Sequence, residues 1–195
     1  MIQLPLNCTA HYYPGFFPKE KCDRIFSQLY NEFQISELKT EVIYKGEKIL
    51  TDHGKLMFMD ENLYHENKLP EEIWGKTATW TKELMELKEK IEVTTGTKFQ
   101  VCVCIYYPNG NTGVSFHSDM VAYGDTSIIP SISIGEEREF QLKEKATQDI
   151  FEIKLEEGSM IVMGENCQKN YEHALPTNPK YKNARINLTF RKYGY

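Results

Sequence analysis

The sequence lacks any long apolar segment and any pattern of paired cysteines. No stretch approaches the roughly 18 apolar residues that a membrane-spanning helix needs. The start "MIQLPLNCTAHYYPG" has no charged residue followed by an apolar run, as a secretory signal has. The five cysteines are odd in number and include no C-x-x-C pair. We therefore expect a soluble, intracellular protein of the cytoplasm, without a membrane partner and without a disulfide framework.

The sequence also lacks a large excess of charge of either sign. Its 23 Lys and Arg residues and 28 Asp and Glu residues give a net charge of −5. This balance argues against a protein that binds nucleic acid by its overall charge alone, but it permits local binding of a few phosphates. The basic segment 180–192 is the clearest candidate for such a phosphate-binding patch. We expect one domain, residues 1–195, and a monomer.

Two amphipathic helices are predicted in the first half of the chain, residues 1–96. Apolar side chains recur at helical spacing in residues 22–33, and Pro18 precedes them where the first turn of a helix tolerates proline. A second apolar stripe covers residues 80–91, and Gly96 in "TTGTK" supplies a stop. The stretch between the two helices contains only short apolar pieces such as "KLMFM".

The second half, residues 97–195, is predicted to be nearly all β. "FQVCVCIYY" is apolar on both faces, as a buried strand is. Further short strands follow, separated by turn residues: "SIIPSISIG", "REFQL", "IFEIKL", "SMIVM" and "RINLTFR". Many short strands with turns between them favour a jelly roll or barrel packed against helices.

The strand "RINLTFR" has one polar and one apolar face. With a period of two residues, Arg185, Asn187, Thr189 and Arg191 share the polar face. The apolar face carries Ile186, Leu188 and Phe190. The polar face is either the solvated side of a surface strand or the wall of a pocket that binds an anion. The second interpretation predicts that Arg185 and Arg191 are buried.

A candidate metal site lies in the same half of the chain. "SFHSDM" contains His117 and Asp119, which point to the same side if they lie on one strand, and "NYEHALP" contains His173. Two histidines and one carboxylate form the facial triad of non-haem Fe(II) oxygenases, which leaves three metal positions open. The competing interpretation, two unrelated histidines, stays open at this point. The presence of the two-arginine strand in the same half favours the metal site.

These motifs together resemble the AlkB family of Fe(II)/2-oxoglutarate dioxygenases. The resemblance is carried by "HSD", "SISIGEEREFQL", "EEGSMIVMGENCQKNYEHALP" and "ARINLTFR", within roughly residues 85–191. The pattern R-x-N-x-T-x-R is its most specific part. The resemblance implies an α+β, mainly β fold. It would be a double-stranded β-helix (jelly roll) core, residues 97–195, with the N-terminal helices packed against one sheet.

The resemblance also implies an activity and a set of site residues. Fe(II) would be bound by His117, Asp119 and His173, and 2-oxoglutarate would chelate the metal while its far carboxylate pairs with Arg185. The other residues implied to contact the cosubstrate are Asn187, Thr189, Arg191 and Tyr107. With O₂, the enzyme would demethylate alkylated DNA or RNA bases oxidatively, as in DNA repair, releasing formaldehyde, succinate and CO₂.

Three features bear on the substrate. Family members that repair bases often carry an acidic residue where this chain has Val121, and here Asp125 is the candidate acid further along the loop. An Asn that contacts the cosubstrate is common where this chain has Ile105. The family's N-terminal lid places an aromatic ring against a flipped base. The candidates here are Phe58 and Tyr64, for which ordinary core packing is the favoured alternative.

Two other functions stay open. The first keeps the iron chemistry but acts on a small molecule or a protein side chain, and Val121 and the acidic residues of segment 60–72 favour it. The second is a jelly-roll binding module that holds a metal or a dicarboxylate without catalysis. The complete set of ligand and arginine positions argues against the second function, since a module without catalysis would not need all of them.

Overall fold

The computed structural model describes residues 1–44 and 47–194, and most of them lie in strands. The described helices are α1 Lys19–Ser27, α2 Glu61–His65, α3 Glu71–Trp74, α4 Lys82–Thr95 and α5 Cys167–Asn170. The strands of the first half are β1 Ile2–Gln3, β2 Ala10–Tyr13, β3 Lys39–Tyr44, β4 Glu47–Met59 and β5 Thr77–Thr79. Those of the second half are β6 Val101–Tyr107, β7 Val114–His117, β8 Ile129–Gly135, β9 Arg138–Glu144, β10 Ile150–Leu155, β11 Met160–Met163, β12 Tyr171–Leu175 and β13 Arg185–Arg191. No helix in these residues is long and apolar enough to cross a membrane.

The strands form two sheets. The larger sheet has the order β1-β2-β11-β8-β13-β6-β4-β3, with β5 beside β4, and the smaller has the order β10-β9-β12-β7. From β7 to β9, and again from β10 to β13, each connection carries the chain from one sheet to the other. Apolar side chains of both sheets, such as Ile161 and Leu142, meet in a shared core. This arrangement confirms the predicted jelly-roll fold.

Helices α1 and α4 cover the outer face of the larger sheet. The apolar side chains of β13, Ile186, Leu188 and Phe190, are 0% exposed there and pack in one core with α1 and α4. The polar residues of β13 therefore face the smaller sheet. The orientation predicted from the two-residue period is confirmed. Its physical reason is that burying three large apolar side chains contributes more free energy than solvating the polar face of β13 would.

The two predicted helices are present with shifted ends. The first begins right after Pro18, which is its N-cap residue and not part of its first turn, and it continues from α1 into a π-helical turn over Gln28–Glu32. The second is α4, which extends through Thr95, and Gly96 ends it in the left-handed conformation with φ 67°.

The stretch between the helices, residues 36–79, contains more strand than its sequence predicts. It forms the antiparallel pair β3 and β4, and β4 also pairs with β6 and, in parallel, with β5. Residues 45–46 lie outside the described residues. The sequence pattern does not predict β4 well, because the limits of this strand depend on pairing with strands that lie far away in the sequence.

The cysteines were predicted to form no disulfide framework, and this prediction is wrong for one pair. Cys8 and Cys167 form a disulfide, with 5.1 Å between their Cα atoms and 159 residues between them in the sequence. They meet because β2 pairs with β11, which brings the N-terminal segment beside the loop that precedes α5. Cys22, Cys102 and Cys104 are buried free thiols.

Candidate metal and cosubstrate site

The structure brings the three predicted metal ligands together. His117 is the last residue of β7, and His173 lies directly opposite it on the neighbouring strand β12. One ligand atom from each of His117, Asp119 and His173 lies within 4.8 Å of the others. Asp119 reaches the cluster from the loop after β7 and not from the strand itself, so the assumption that both ligands lie on one strand was wrong.

Hydrogen bonding and burial prepare both imidazoles for a metal. Nδ1 of His117 lies 2.8 Å from the carbonyl oxygen of Ser115. This acceptor selects the tautomer with a proton on Nδ1, which leaves the lone pair of Nε2 available to a metal ion. Burial lowers the pKa of His173 to about 4, although the nearby Asp119 carboxylate opposes the shift. His173 is therefore neutral at pH 7, the state in which imidazole binds metals.

The donor set fits a divalent first-row metal. Two imidazoles and one carboxylate on one side of an ion are the ligands of non-haem Fe(II) oxygenases, and they leave positions for other molecules. The antiparallel pair of strands β7 and β12 carries two of the three ligands. These residues fit the metal that the motif predicts.

Arg185 lies at the other end of the polar face of β13 and is 2% exposed. Its Nη2 donates to Oγ of Ser133 at 2.8 Å and to Oδ1 of Asn187 at 3.1 Å, whereas its buried Nε has no hydrogen-bond partner among the described residues. Burial lowers the pKa of Arg185 to about 10, and the neighbouring Arg138 adds to the shift. A buried guanidinium held by neutral groups alone is costly, and an anion beside it would offset that cost.

Arg138, the first residue of β9, is a second buried cation that the sequence reasoning missed. It is 1% exposed, and its guanidinium lies 5.8 Å from the ring centre of Tyr107, the same distance as that of Arg185. Its terminal nitrogens donate to three main-chain carbonyls, those of Asn109, Thr112 and Pro176. No carboxylate in the described residues lies within ion-pair distance of either arginine. The alternation of "REFQL", which places Arg138 on the same face as the buried Phe140 and Leu142, was the available signal.

A chain of hydrogen bonds holds Arg185 in place. Ser131 donates to Oδ1 of Asn187 at 2.9 Å, and Nδ2 of Asn187 donates to Oγ1 of Thr189 at 2.8 Å. Tyr107 lies opposite Arg185 on β6, and Ile105 lies opposite Asn187. Burial raises the pKa of Tyr107, so its hydroxyl keeps its proton as a hydrogen-bond donor. The four predicted cosubstrate positions on β13 form one polar wall on the inner face of the larger sheet.

Arg191 joins this wall to the metal ligands. It is 6% exposed, and its Nη1 lies 3.7 Å from Oδ1 of Asp119. Its Nη2 donates to the carbonyl of Met120 at 2.8 Å, and its Nε is buried without a partner within the described part of the chain. The predicted burial of both strand arginines is confirmed, so the polar face of β13 is not the solvated side of a surface strand.

Comparison with known proteins agrees with this geometry. The sequence profile of the 2OG-Fe(II) oxygenase superfamily matches residues 9–191. The chain belongs to this superfamily. The alpha-ketoglutarate-dependent dioxygenases alkB homolog 3 of Bos taurus and Homo sapiens are each 27% identical to it, over 91% and 92% of this chain. The DNA oxidative demethylase ALKBH2 of Bos taurus is 26% identical over 96% of this chain and 69% of its own length.

These relatives confirm the resemblance to AlkB proteins. The chain spans 64% of the length of the two alkB homolog 3 proteins. A solved structure, "The structure of OsALKBH1", superposes with a TM-score of 0.64 at 15% identity, covering 97% of this chain and all of the other. At that identity, the superposition supports the superfamily's fold alone.

The two aromatic candidates for base stacking lie in different environments. Phe58, on β4, is 0% exposed and packs between Phe33 and Trp80, with ring centres 5.1 and 6.5 Å away. It has no face available to a base, so the stacking hypothesis is wrong for Phe58. Tyr64, on α2, is 41% exposed, and its role in substrate binding stays a prediction.

The two candidates on the loop after Asp119 also differ from each other. Val121 is 55% exposed beside Met120, which is 75% exposed, so this loop presents apolar surface next to the metal ligands. Asp125 pairs with Lys192 at 2.6 Å and accepts hydrogen bonds from Ser127. These contacts lower the pKa of Asp125 to about 2, and its carboxylate is already engaged.

Replacing Phe58 with alanine tests its placement in the core. We expect the free energy of unfolding to fall by about 3–5 kcal/mol, because the substitution leaves a cavity among packed aromatic rings. Tyr64→Ala is the control and should change it by less than about 0.5 kcal/mol. Urea unfolding followed by circular dichroism measures both. Unchanged stability of Phe58→Ala would contradict the core assignment.

Proposed function

We propose that this chain is an Fe(II)- and 2-oxoglutarate-dependent dioxygenase that removes N-methyl groups from bases of DNA or RNA. The observation that carries the proposal is the buried guanidinium of Arg185, with an Nε unpartnered within the described residues, on the same polar wall as Arg191, which reaches Asp119. A dicarboxylate that also chelates the metal satisfies both ends of this wall. The names of the relatives, a 2-oxoglutarate (alpha-ketoglutarate) dioxygenase and a DNA oxidative demethylase, support the substrate class.

Each residue of the site has a role in this proposal. Nε2 of His117, one carboxylate oxygen of Asp119 and the neutral His173 would hold Fe(II). When bound with 2-oxoglutarate, Fe(II) supplies oxidation by O₂ that hydroxylates a C–H bond, and on an N-methyl group this releases formaldehyde. Arg185 binds the far carboxylate of the cosubstrate by charge-assisted hydrogen bonds, and Ser133 and Asn187 fix the plane of its guanidinium.

The remaining residues orient the cosubstrate and keep water out. Tyr107 donates its hydroxyl proton towards the carboxylate that Arg185 binds, and Arg138 adds positive charge beside the same ring. Arg191 offers its unpartnered Nε at the metal end. Because these groups are nearly all buried, their hydrogen bonds to an anion act in a low dielectric and are strong.

The test is turnover of methylated oligonucleotides. The full chain is loaded without oxygen with Fe(II), 2-oxoglutarate and oligonucleotides that carry 1-methyladenine or 3-methylcytosine, and oxygen is then admitted. We expect succinate and formaldehyde in equal amounts, with loss of the methyl group by mass spectrometry. If neither product exceeds that of a His173→Ala control, the enzyme assignment fails, and a binding module without catalysis takes its place.

A second candidate substrate class is a small molecule or a protein side chain. The engagement of Asp125 by Lys192 favours it, since no free carboxylate on this loop is then available to a base amino group. The acidic segment after β4 is weaker support for this substrate class, because Asp60 accepts a hydrogen bond from Trp80 and Glu71 pairs with Lys76. Succinate formation that no methylated oligonucleotide stimulates would select this candidate.

A further inference from the structure

Asp119 is a ligand on a loop, and something other than strand pairing must hold it. Strand β7 ends at His117, and the pairing of β7 with β12 ends there as well. Position errors of a few tenths of an ångström in a ligand weaken a metal site, so ligands on loops need support from neighbouring groups.

The support for Asp119 comes from a side chain on α5. The main-chain N–H of Asp119 donates to Oε1 of Gln168 at 2.8 Å. Because a main-chain N–H is only a donor, it defines which end of the amide faces Asp119. The other end, Nε2, donates to Sδ of Met163 at 3.6 Å. The amide of Gln168 is thus held at both ends.

Helix α5 is itself tied to several parts of the chain. The disulfide joins its first residue, Cys167, to Cys8, and Asn170 donates to the carbonyl of Asn7 at 2.7 Å. Nζ of Lys145 donates to the carbonyl of Gln168 at 2.9 Å. The helix continues directly into β12, which carries His173. One short helix therefore has a connection to two of the three proposed ligands.

We propose that Gln168 is a positioning residue of the metal centre. Its amide oxygen holds the main chain of Asp119 where the carboxylate can join His117 and His173 on one ion. The inference rests on the proposed metal site and adds a residue outside the ligand set. A merely structural role would affect the stability of the metal-free protein, whereas a positioning role affects metal affinity at nearly unchanged stability, since Gln168 is half-buried.

The test compares two substitutions of Gln168 by their affinity for Mn(II), a probe that needs no oxygen and no turnover. Gln168→Met keeps the length but removes the acceptor, and we expect it to weaken Mn(II) binding about 10- to 100-fold. Gln168→Glu keeps an acceptor oxygen, and its affinity should stay within about threefold of that of the unsubstituted chain. Free Mn(II) is measured by electron paramagnetic resonance in a titration of the metal-free full chain.

Two controls separate the possible outcomes. Lys169→Met changes the exposed neighbour on the same helix and should leave Mn(II) affinity unchanged. The melting temperature of metal-free Gln168→Met should stay within about 2 °C of the unsubstituted chain. Equal affinities of Gln168→Met and the unsubstituted chain, or equal losses in Gln168→Met and Lys169→Met, would overturn the role of Gln168 alone. No Mn(II) binding by any form, the unsubstituted chain included, would overturn the metal site and this role together.

Discussion

Replacing Arg185 with methionine is expected to raise the KM for 2-oxoglutarate by about 100-fold or more. The substitution removes the buried cation that pairs with the far carboxylate, and the loss of one partner from such a pair costs about 2–5 kcal/mol. The fold change corresponds to about 2.7 kcal/mol. Succinate formation at a series of 2-oxoglutarate concentrations measures the change.

The same substitution should leave the metal-free protein at least as stable as before. Arg185 is 2% exposed and has only neutral partners in the described residues, so its charge is desolvated without compensation. An apolar side chain of similar length removes that penalty, and such replacements are often neutral or stabilising. The melting temperature without ligand should not fall, and the stabilisation that 2-oxoglutarate confers on the unsubstituted chain should disappear.

A control for Arg185→Met is Lys180→Met, which removes an exposed cation that pairs with Glu139 at 2.7 Å. Its KM for 2-oxoglutarate should stay unchanged, since exposed ion pairs contribute little. An unchanged KM in Arg185→Met would mean that the buried guanidinium does not bind the cosubstrate. A large fall in its melting temperature would mean instead that Arg185 is mainly a structural residue.

Replacing Asp119 with alanine is expected to reduce turnover on the order of a thousandfold or more. The carboxylate is the only anionic member of the donor set, so its loss removes both a ligand and the charge that balances the metal. Mn(II) affinity of the metal-free protein should fall by a similar order of magnitude. Turnover is measured as succinate formed, and affinity is measured by the Mn(II) titration.

The matched control for Asp119→Ala is Asp125→Ala, on the same loop. Asp125 is paired with Lys192 and does not belong to the cluster of ligand atoms. Mn(II) affinity should stay within about twofold for this variant, because an exposed pair contributes about 0–1 kcal/mol of stability and nothing to the metal. Equal affinities of the two variants would contradict the assignment of Asp119 as a ligand.

Much of the fold was predictable from the sequence because strand and helix periodicities are local. The alternation in "RINLTFR" correctly predicted which side chains of β13 face the helices and which face the smaller sheet. The residue types of His117, Asp119 and His173 predicted a metal site, and these residues do come together. Helix ends and the β3–β4 region were less predictable, since their limits depend on partners elsewhere in the chain.

The errors have a common physical origin. Phe58 was a candidate for base stacking with core packing as the favoured alternative, and the packing of Phe33 and Trp80 around it shows that it is core. Arg138 shares a strand face with the buried Phe140 and Leu142, but only the packing of the two sheets shows that its guanidinium lies beside Tyr107. In each case the environment consists of residues far away in the sequence.

The sequence by itself determined the chemistry of this protein: two imidazoles, a carboxylate, and two arginines on one face of a strand. These properties depend on residue type and on spacing within a few residues, which the chain carries locally. Only the tertiary structure decided which of these groups are buried, that Gln168 holds Asp119, and that Cys8 meets Cys167. Such contacts join segments far apart in the chain, and the burial of apolar surface across two whole sheets selects them, which no local pattern records.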